Sequence, residues 1–352
     1  SGEERPLSTD GVDGYAYGGP NAAWGWNNII EVPAVWSADS KRLITVLRNR
    51  RQVLTSPAID HVPDDGRLKP KVHTYTVAYP GDDVVETYQF VAMDVTSNKQ
   101  CLADYPATPC APSSNMGLFF SRLIWWAKNH SLAYFIAQDR GDRELQLVEF
   151  DTHTGTTRVL FDERSASHIN IVTSDNLTAP SHHFLADSNE LIWWSERSGW
   201  GHLYLYDLKT GELKHPITLI DPATGLTNEW LVRDVLHIDE QKREMIIQTA
   251  GRTPGDATEK ISDRSPYYRD ICRVNIDTGE IATVFSSNED VIVHFPESYL
   301  VFLDSLLKRS GTEVAGVSSS GDYIIATRSS VDQAPVTELL NRNGDNIMTL
   351  EV

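Results

Sequence analysis

The feature that most constrains the fold of this chain is a short pattern of strands and turns that occurs several times. Its clearest copy runs from Leu191 to Leu219, where three apolar or β-branched runs are separated by a Ser/Gly-rich turn and by Lys209-Thr-Gly211. Runs of this kind between turn residues predict an antiparallel meander. We expect Gly211 to adopt the positive φ that a tight hairpin loop requires. One meander cannot bury both of its faces, so the other copies decide the fold.

Two turn signatures mark these copies. In the first, a strand breaks at Ala-Asp-Ser and continues as a second strand, as in Val35–Ile44 and Ala186–Ile192. In the second, a strand ends in Asp and is followed by Thr-Gly, at Asp151–Gly155, Asp207–Gly211 and Asp277–Gly279. Helix signals are nearly absent, so an all-β sandwich, barrel or propeller is expected. Because similar meanders can stack radially, each on the next, the repeats favour a β-propeller of four-stranded blades.

The number of copies sets the expected size of the propeller. Counting them predicts about six or seven blades. The first blade is expected to be incomplete, and a single propeller domain is expected over residues 1–352. Neighbouring copies are farther apart than the ~40–45 residues of a compact blade, so several connections are expected to carry insertions.

Two stretches interrupt the blade pattern. Asp13–Asn28 is rich in Gly, Asn, Tyr and Trp and has no period. It either fills a gap or lines a binding surface, in which case Tyr17 and Trp24 are candidate substrate-binding residues. Residues 66–90 contain an alternating strand that ends at Pro-Gly, which predicts an arm projecting from a blade. The arm is either a decorative loop or a partner contact made by Lys69, Val72, Tyr75, Val77 and Tyr79.

Composition excludes some partners. A net charge of −18 argues against binding nucleic acid or an anionic membrane, because both require a basic face. The chain shows no apolar run of ~18 residues and no secretory leader, so no membrane span is expected. Cys101, Cys110 and Cys272 are too few for a disulfide framework. Free thiols and a cytoplasmic location are favoured, although Cys101 and Cys110 could close a small loop in an oxidising compartment.

The motifs of catalysis are missing from this sequence. The nearest approach to a Gly-x-Ser-x-Gly nucleophile elbow is Gly316–Gly321, which has the wrong spacing and fits a blade turn. The zinc, P-loop, dinucleotide and calcium motifs are also missing. His182 and His183 are neighbours in a strand and should point to opposite faces, so they are not expected to share a metal. We therefore expect no catalytic residue, no metal site and no cofactor in this chain.

Two blade sequences resemble a known family. The segment Trp194–Asp207, with its Ser-Glu-Arg-Ser-Gly-Trp-Gly-His core, and the segment Tyr323–Leu339 resemble blades of the N-terminal β-propeller in the dipeptidyl peptidase IV branch of the prolyl oligopeptidase (S9) family. Supporting similarities occur at Val35–Ser40, Leu68–His73 and Thr157–Glu163. The similarities follow the family's order and are spread over nearly the whole chain.

The resemblance implies an eight-bladed propeller that caps an α/β-hydrolase domain with a Ser-Asp-His triad. Such a propeller screens peptide substrates by size and binds their N-termini. The segment Arg67–Asp83 of the arm resembles the insertion through which relatives dimerise, so a homodimer of the full protein is expected. The chain is then expected to begin inside a repeat and to stop where its own hydrolase domain would follow, which makes it inactive alone. The family's paired glutamates for the substrate amine have no counterpart beside Asp13–Asn21, so dipeptide release is not implied. The alternative is a propeller that serves only as a protein-interaction scaffold.

Overall fold

A computed structural model describes seven ranges of the chain: 4–18, 34–109, 124–170, 182–219, 228–252, 265–293 and 316–351. Within these ranges the chain forms strands and turns but no helix. The described residues thus include no helix that is long and apolar enough to cross a membrane. The chain divides into two compact units, Ser1–His168 and Ile169–Val352.

The first unit contains two sheets and a separate hairpin. Its strands are β1 (Tyr15–Tyr17), β2 (Ala34–Trp36), β3 (Arg42–Asn49), β4 (Thr55–Asp60), β5 (Lys71–Thr76), β6 (Thr87–Asp94), β7 (Gln100–Leu102), β8 (Ile124–Trp126), β9 (Leu132–Gln138), β10 (Glu144–Asp151) and β11 (Thr157–Arg164). Sheet 1 has the order β1-β3-β6-β7, and β2 pairs with the same edge of β3 as β1. Sheet 2 is the meander β8 to β11, and β4 pairs only with β5.

The second unit contains three sheets of four strands each. Its strands are β12 (His182–Leu185), β13 (Glu190–Ser195), β14 (His202–Asp207), β15 (Leu213–Pro216), β16 (Leu231–Asp239), β17 (Glu244–Ala250), β18 (Arg269–Asn275), β19 (Ile281–Phe285), β20 (Asp290–Val293), β21 (Tyr323–Ser330), β22 (Gln333–Asn341) and β23 (Asn346–Glu351). Sheet 3 is β12 to β15, sheet 4 is β16 to β19, and sheet 5 is β20 to β23.

These sheets confirm the predicted all-β fold. Each of sheets 2 to 5 is an antiparallel meander of four consecutive strands, which is the form of a propeller blade. Sheet 1 is also four strands wide, because β1 and β2 lie along different halves of one edge of β3. The described ranges contain five sheets of this kind. The number of blades in the whole chain and the single domain over 1–352 stay predictions.

Alternation along the strands builds separate cores on the two faces of a sheet. In β17, Met245 and Ile247 belong to the core shared with sheet 3, whereas Ile246 belongs to the core shared with sheet 5. Successive side chains of a strand point to opposite faces, so one strand supplies both cores. In the first unit, the Phe90 and Phe135 rings stack with centroids 3.9 Å apart between sheets 1 and 2. Sheets within each unit are therefore held together by face-to-face apolar packing.

The glycine of the Thr-Gly signature has a role in this stacking. Gly279 has a φ of +72°, and a Cβ atom there would lie 2.7 Å from the carbonyl oxygen of Ile217 in the preceding sheet. Gly155 is in the same position against the Leu102 carbonyl oxygen, at 2.5 Å. Real Cβ atoms do not approach oxygen this closely. These glycines therefore serve both the turn and the contact between neighbouring sheets.

Candidate functional site

The two ends of each sheet differ in character. At one end, the turn end, tight turns join the first strand to the second in sheets 2, 3 and 4, and the third strand to the fourth in sheets 2 to 5. The Asp207 carboxylate accepts backbone N–H bonds from Lys209 at 2.7 Å and Thr210 at 3.0 Å, and Asp151 does the same for His153 and Thr154. In these turns the Asp side chain therefore bonds to backbone N–H groups of its own turn. The connections at the other end, the loop end, vary more in length, and connections of this kind often carry binding residues.

The loop end of sheet 1 carries a two-stranded arm. Between β3 and β6, the strands β4 and β5 pair from Thr55 opposite Thr76 to Asp60 opposite Lys71. The arm thus includes a strand that precedes the sequence-predicted range 66–90, and that range also runs into β6. Within the arm, Val72 is 62% exposed and Tyr75 is 54% exposed. Exposed apolar side chains of this kind are unusual on a hairpin that faces only solvent.

The base of the arm is fixed to sheet 2. Arg140, in the turn between β9 and β10, donates hydrogen bonds to the carbonyl oxygens of Tyr79, at 3.0 Å, and Asp82. The Asp82 carboxylate in turn accepts the Tyr79 N–H at 2.8 Å. Of the predicted contact residues, Val77 follows β5 and donates its N–H to the Leu54 carbonyl, and Lys69 lies in the exposed connection between β4 and β5. These hydrogen bonds fix the direction in which the arm leaves sheet 1.

Tyr17 lies on β1 and not on an open surface. Its hydroxyl is 2.7 Å from Gln100 Oε1 and 3.0 Å from Asp10 Oδ2, and its ring packs on the small core of Leu43, Val91 and Met93. Burial, together with Asp10, raises the pKa of Tyr17 to about 12. Trp24 lies outside the described residues. The substrate-binding role expected for these two residues stays a prediction.

The Ser-Glu-Arg-Ser-Gly-Trp-Gly-His segment connects β13 to β14 within sheet 3 and packs against sheet 4. The Trp194 indole is 7% exposed and its Nε1 donates to the Val232 carbonyl oxygen at 2.9 Å. A Cβ atom on Gly201 would lie 2.2 Å from the Trp194 ring, so only glycine leaves room for the ring. Val232 donates its N–H back to the Gly201 carbonyl at 2.8 Å. Through Trp194 and Gly201, the segment that resembles the family therefore forms a structural joint between two blades, sheets 3 and 4.

His202 completes this joint and fixes the chain before β16. Its Nε2 lies 3.2 Å from the Asn228 carbonyl, which can only accept, so Nε2 carries the proton. Its Nδ1 lies 3.1 Å from the Thr218 hydroxyl, whose oxygen accepts the Leu203 N–H. Burial lowers the pKa of His202 despite the opposing hydrogen bond to Asn228. The neutral imidazole thus holds Asn228, which immediately precedes Glu229.

A pocket opens at the loop end of sheets 4 and 5, beside the joint. Its volume is about 430 Å³, within the range of small-ligand sites. Its wall combines aromatic, apolar and charged side chains of both signs. The lining residues are Trp200, Glu229, Leu231, Arg233, Ala250, Gly251, Pro266, Tyr267, Arg269 and Asp290.

One wall of the pocket is a fixed ion pair. Arg269 binds Asp290 through Nε at 3.0 Å and Nη2 at 2.6 Å, and its backbone N–H also donates to Asp290. Bidentate pairs of this geometry are strong and directional. Glu229, by contrast, is exposed. The described residues include no cluster of three or more His, Cys, Asp or Glu side chains that could hold a metal ion.

Apart from Trp200, which belongs to the Ser-Glu-Arg-Ser-Gly-Trp-Gly-His segment, sequence reasoning did not single out the pocket residues. Glu229 precedes β16 and Tyr267 precedes β18, whereas Arg269 begins β18 and Asp290 begins β20. Each stands alone in the sequence, without a motif. The available signal was the concentration of aromatic and charged residues beside strand starts, as in Asn228-Glu-Trp230 and Pro266–Arg269. Aromatic and charged residues beside strand starts can equally serve packing and solubility, so only the folded structure identifies the site.

Stacked four-stranded antiparallel meanders in each unit place this chain in the class of β-propeller proteins. The chain belongs to the family of the dipeptidyl peptidase IV (DPP IV) N-terminal region, whose family model matches residues 30–310. The family resemblance seen in the sequence is thereby confirmed. The chain is a domain of a peptidase-associated family.

Two solved structures have a similar fold. A putative dipeptidyl aminopeptidase IV from Bacteroides ovatus ATCC 8483 has a TM-score of 0.64 and 18% identity over 99% of this chain and 43% of that chain. Porphyromonas gingivalis dipeptidyl peptidase 4 has a TM-score of 0.65 and 16% identity over 98% of this chain and 40% of that chain. At these identities the likeness concerns the fold. The chain spans less than half the length of both proteins.

Proposed function

We propose that this chain is the substrate-gating propeller of a dipeptidyl-peptidase-IV-like serine peptidase. Its loop end binds peptides and limits which substrates reach a hydrolase domain of the same protein. The hydrolase supplies the nucleophile and its partners, and the propeller contributes no catalytic residue. The family match over residues 30–310 supports the association with a peptidase.

The observation that carries the peptide-binding part is the loop-end pocket. The described turns of the turn end are closed by their own Asp or Asn side chains, so they offer little to a ligand. The pocket, in contrast, presents exposed aromatic rings and charges of both signs in a concave surface. Peptides carry both charges and apolar side chains, which matches this lining.

Two experiments test the proposal. The coding sequence around this chain should encode a Gly-x-Ser-x-Gly elbow followed by Asp and His. A coding sequence without a hydrolase domain would contradict the peptidase assignment and favour an interaction scaffold. In the protein that contains both domains, short peptides should be cleaved much faster than unfolded long proteins with the same N-terminal sequence. Equal rates would show that the propeller does not select by size. The chain alone should not hydrolyse Xaa-Pro chromogenic dipeptides.

The arm supports a homodimer as the second part of the proposal. Ile59 and Val72 are opposite each other in the β4-β5 register and are 55% and 62% exposed. The hydrogen bonds from Arg140 to the base of the arm restrict the movement of this apolar face. A second copy of the chain would cover that face and the open strand edges. Light scattering on the purified protein measures the oligomeric state directly.

A further inference from the structure

We infer that the loop-end pocket binds a basic side chain, arginine or lysine, of the bound peptide. The inference rests on the proposed peptide-binding function and adds a preference that the family match does not contain. It follows from which charges in the pocket are already paired and which aromatic surfaces are exposed.

The two arginines of the pocket wall both have partners within the protein. Arg269 is held by Asp290 in the bidentate pair, with 15% of its side chain exposed. Arg233 is half-buried and also has a partner within the protein. Glu229 is exposed, and it takes part in no ion pair with the described residues. The charge that the pocket offers to a ligand is therefore negative, in a chain whose net charge is −18.

The aromatic residues of the pocket favour a cation as well. The side chains of Trp200 and Tyr267 are 42% and 84% exposed, although both line the cavity. The faces of such rings attract ammonium and guanidinium groups. Leu231 and Pro266 add an apolar wall, against which the methylene groups of a long basic side chain can pack.

Hydrogen bonds outside the pocket lining fix the chain on two sides of the pocket. The Trp194 bond to Val232 and the Val232 bond to Gly201 fix the turn that carries Trp200. The His202 bond to Asn228 fixes the chain beside Glu229. Because these contacts lie outside the pocket lining, its residues can be changed without breaking the joint.

The test compares two peptides and two pairs of variants by isothermal titration calorimetry. The peptides are short Ala/Ser sequences with free termini that differ only in a central arginine or its neutral isostere citrulline. The pocket variants are Glu229→Gln and Tyr267→Ala. Their matched controls are Glu212→Gln, an exposed acid, and Tyr323→Ala, a tyrosine 51% exposed, both at the turn end of the same unit. Circular dichroism checks that each variant is folded.

We expect the arginine peptide to bind roughly five- to thirtyfold more tightly than the citrulline peptide. Each pocket variant should lose most of this difference between the two peptides, whereas the controls should keep it. Equal affinities for the two peptides, or an equal loss in the controls, would overturn the inference while peptide binding itself stands. Failure of both peptides to bind at millimolar concentration would overturn the inference and the proposed function together.

Discussion

Replacing one turn glycine tests whether the Thr-Gly signature acts in blade stacking or only in the turn. Gly279 and Gly199 both have positive φ, +72° and +96°. Around Gly199 a Cβ atom would meet nothing within 4 Å, whereas at Gly279 it would lie 2.7 Å from the Ile217 carbonyl oxygen. Gly279→Ala and Gly199→Ala therefore share the strain of the left-handed backbone and differ in the contact with the preceding sheet.

The magnitudes follow from these contacts. Alanine in the left-handed region costs about 1–2 kcal/mol. The loss of chain flexibility in the unfolded state offsets about 0.4–1 kcal/mol of this in both variants. Gly279→Ala adds an overlap, for which forced repacking typically costs about 1–3 kcal/mol. The Ile217 carbonyl cannot easily move away, because the Ile217 side chain is fully buried and its N–H donates to Leu203 at 2.7 Å.

Urea unfolding followed by circular dichroism measures the difference between the variants. We expect Gly279→Ala to lower the free energy of unfolding by about 1–3 kcal/mol more than Gly199→Ala does. The slope of the transition should be the same in both variants, since the surface exposed on unfolding is unchanged. An equal loss of stability in the two variants would refute the stacking role of Gly279 and leave only its role in the turn.

Three further predictions concern protonation, a buried ion pair and the arm. Because the folded state lowers the pKa of His202 below its ordinary 6.5, the unfolded chain binds the proton more strongly, so stability should fall as pH decreases from about 6.5. His202→Gln should remove that part of the slope in a pH series of urea melts, and an unchanged slope would contradict it. Burial raises the pKa of Glu190, but Lys214, Ser188 and Arg243 outweigh it and leave the pKa below its ordinary value, so its stabilisation is present above that ordinary value and is lost as pH falls through the lowered pKa. Glu190→Gln should cost about 1–3 kcal/mol at pH 7 and much less near pH 2, and equal losses at both pH values would refute the ion-pair explanation. Val72→Asp should convert a dimer to a monomer in light scattering, whereas Val331→Asp, at a fully exposed site outside the arm, should not; a dimer that survives Val72→Asp would exclude this face of the arm.

Much of the fold could be predicted from local signals. Short apolar runs between turn residues, such as Leu203–Tyr206, predict strands, and Asp207 with Gly211 predicts the turn that follows, because both depend on residues close in sequence. The structure has β14 and the turn at those positions, and Gly211 has a φ of 82° as expected. The arm was harder to delimit. The strand Thr55–Asp60 begins at a leucine-threonine-serine-proline stretch with little alternation, and only its pairing with β5 identifies it.

The candidate site could not be predicted in the same way. Its Arg269 and Asp290 pair, its exposed Glu229 and its aromatic wall come from different sheets and connections, and no fixed spacing relates them. The family marker Trp194–His202 was recognisable in the sequence, yet its role was not. Only the structure shows that Trp194 bonds to Val232, that Gly201 leaves room for its ring, and that His202 holds the chain beside the pocket.

The sequence by itself determined the strands, the tight turns and the family, because these depend on backbone conformations that neighbouring residues specify. Tertiary structure decided which faces meet, why Gly279 must approach Ile217, and where a pocket remains open. Those properties arise when sheets stack and bring residues of distant segments within a few ångströms. Contacts of that kind depend on the packing of whole sheets, which no local stretch of sequence encodes.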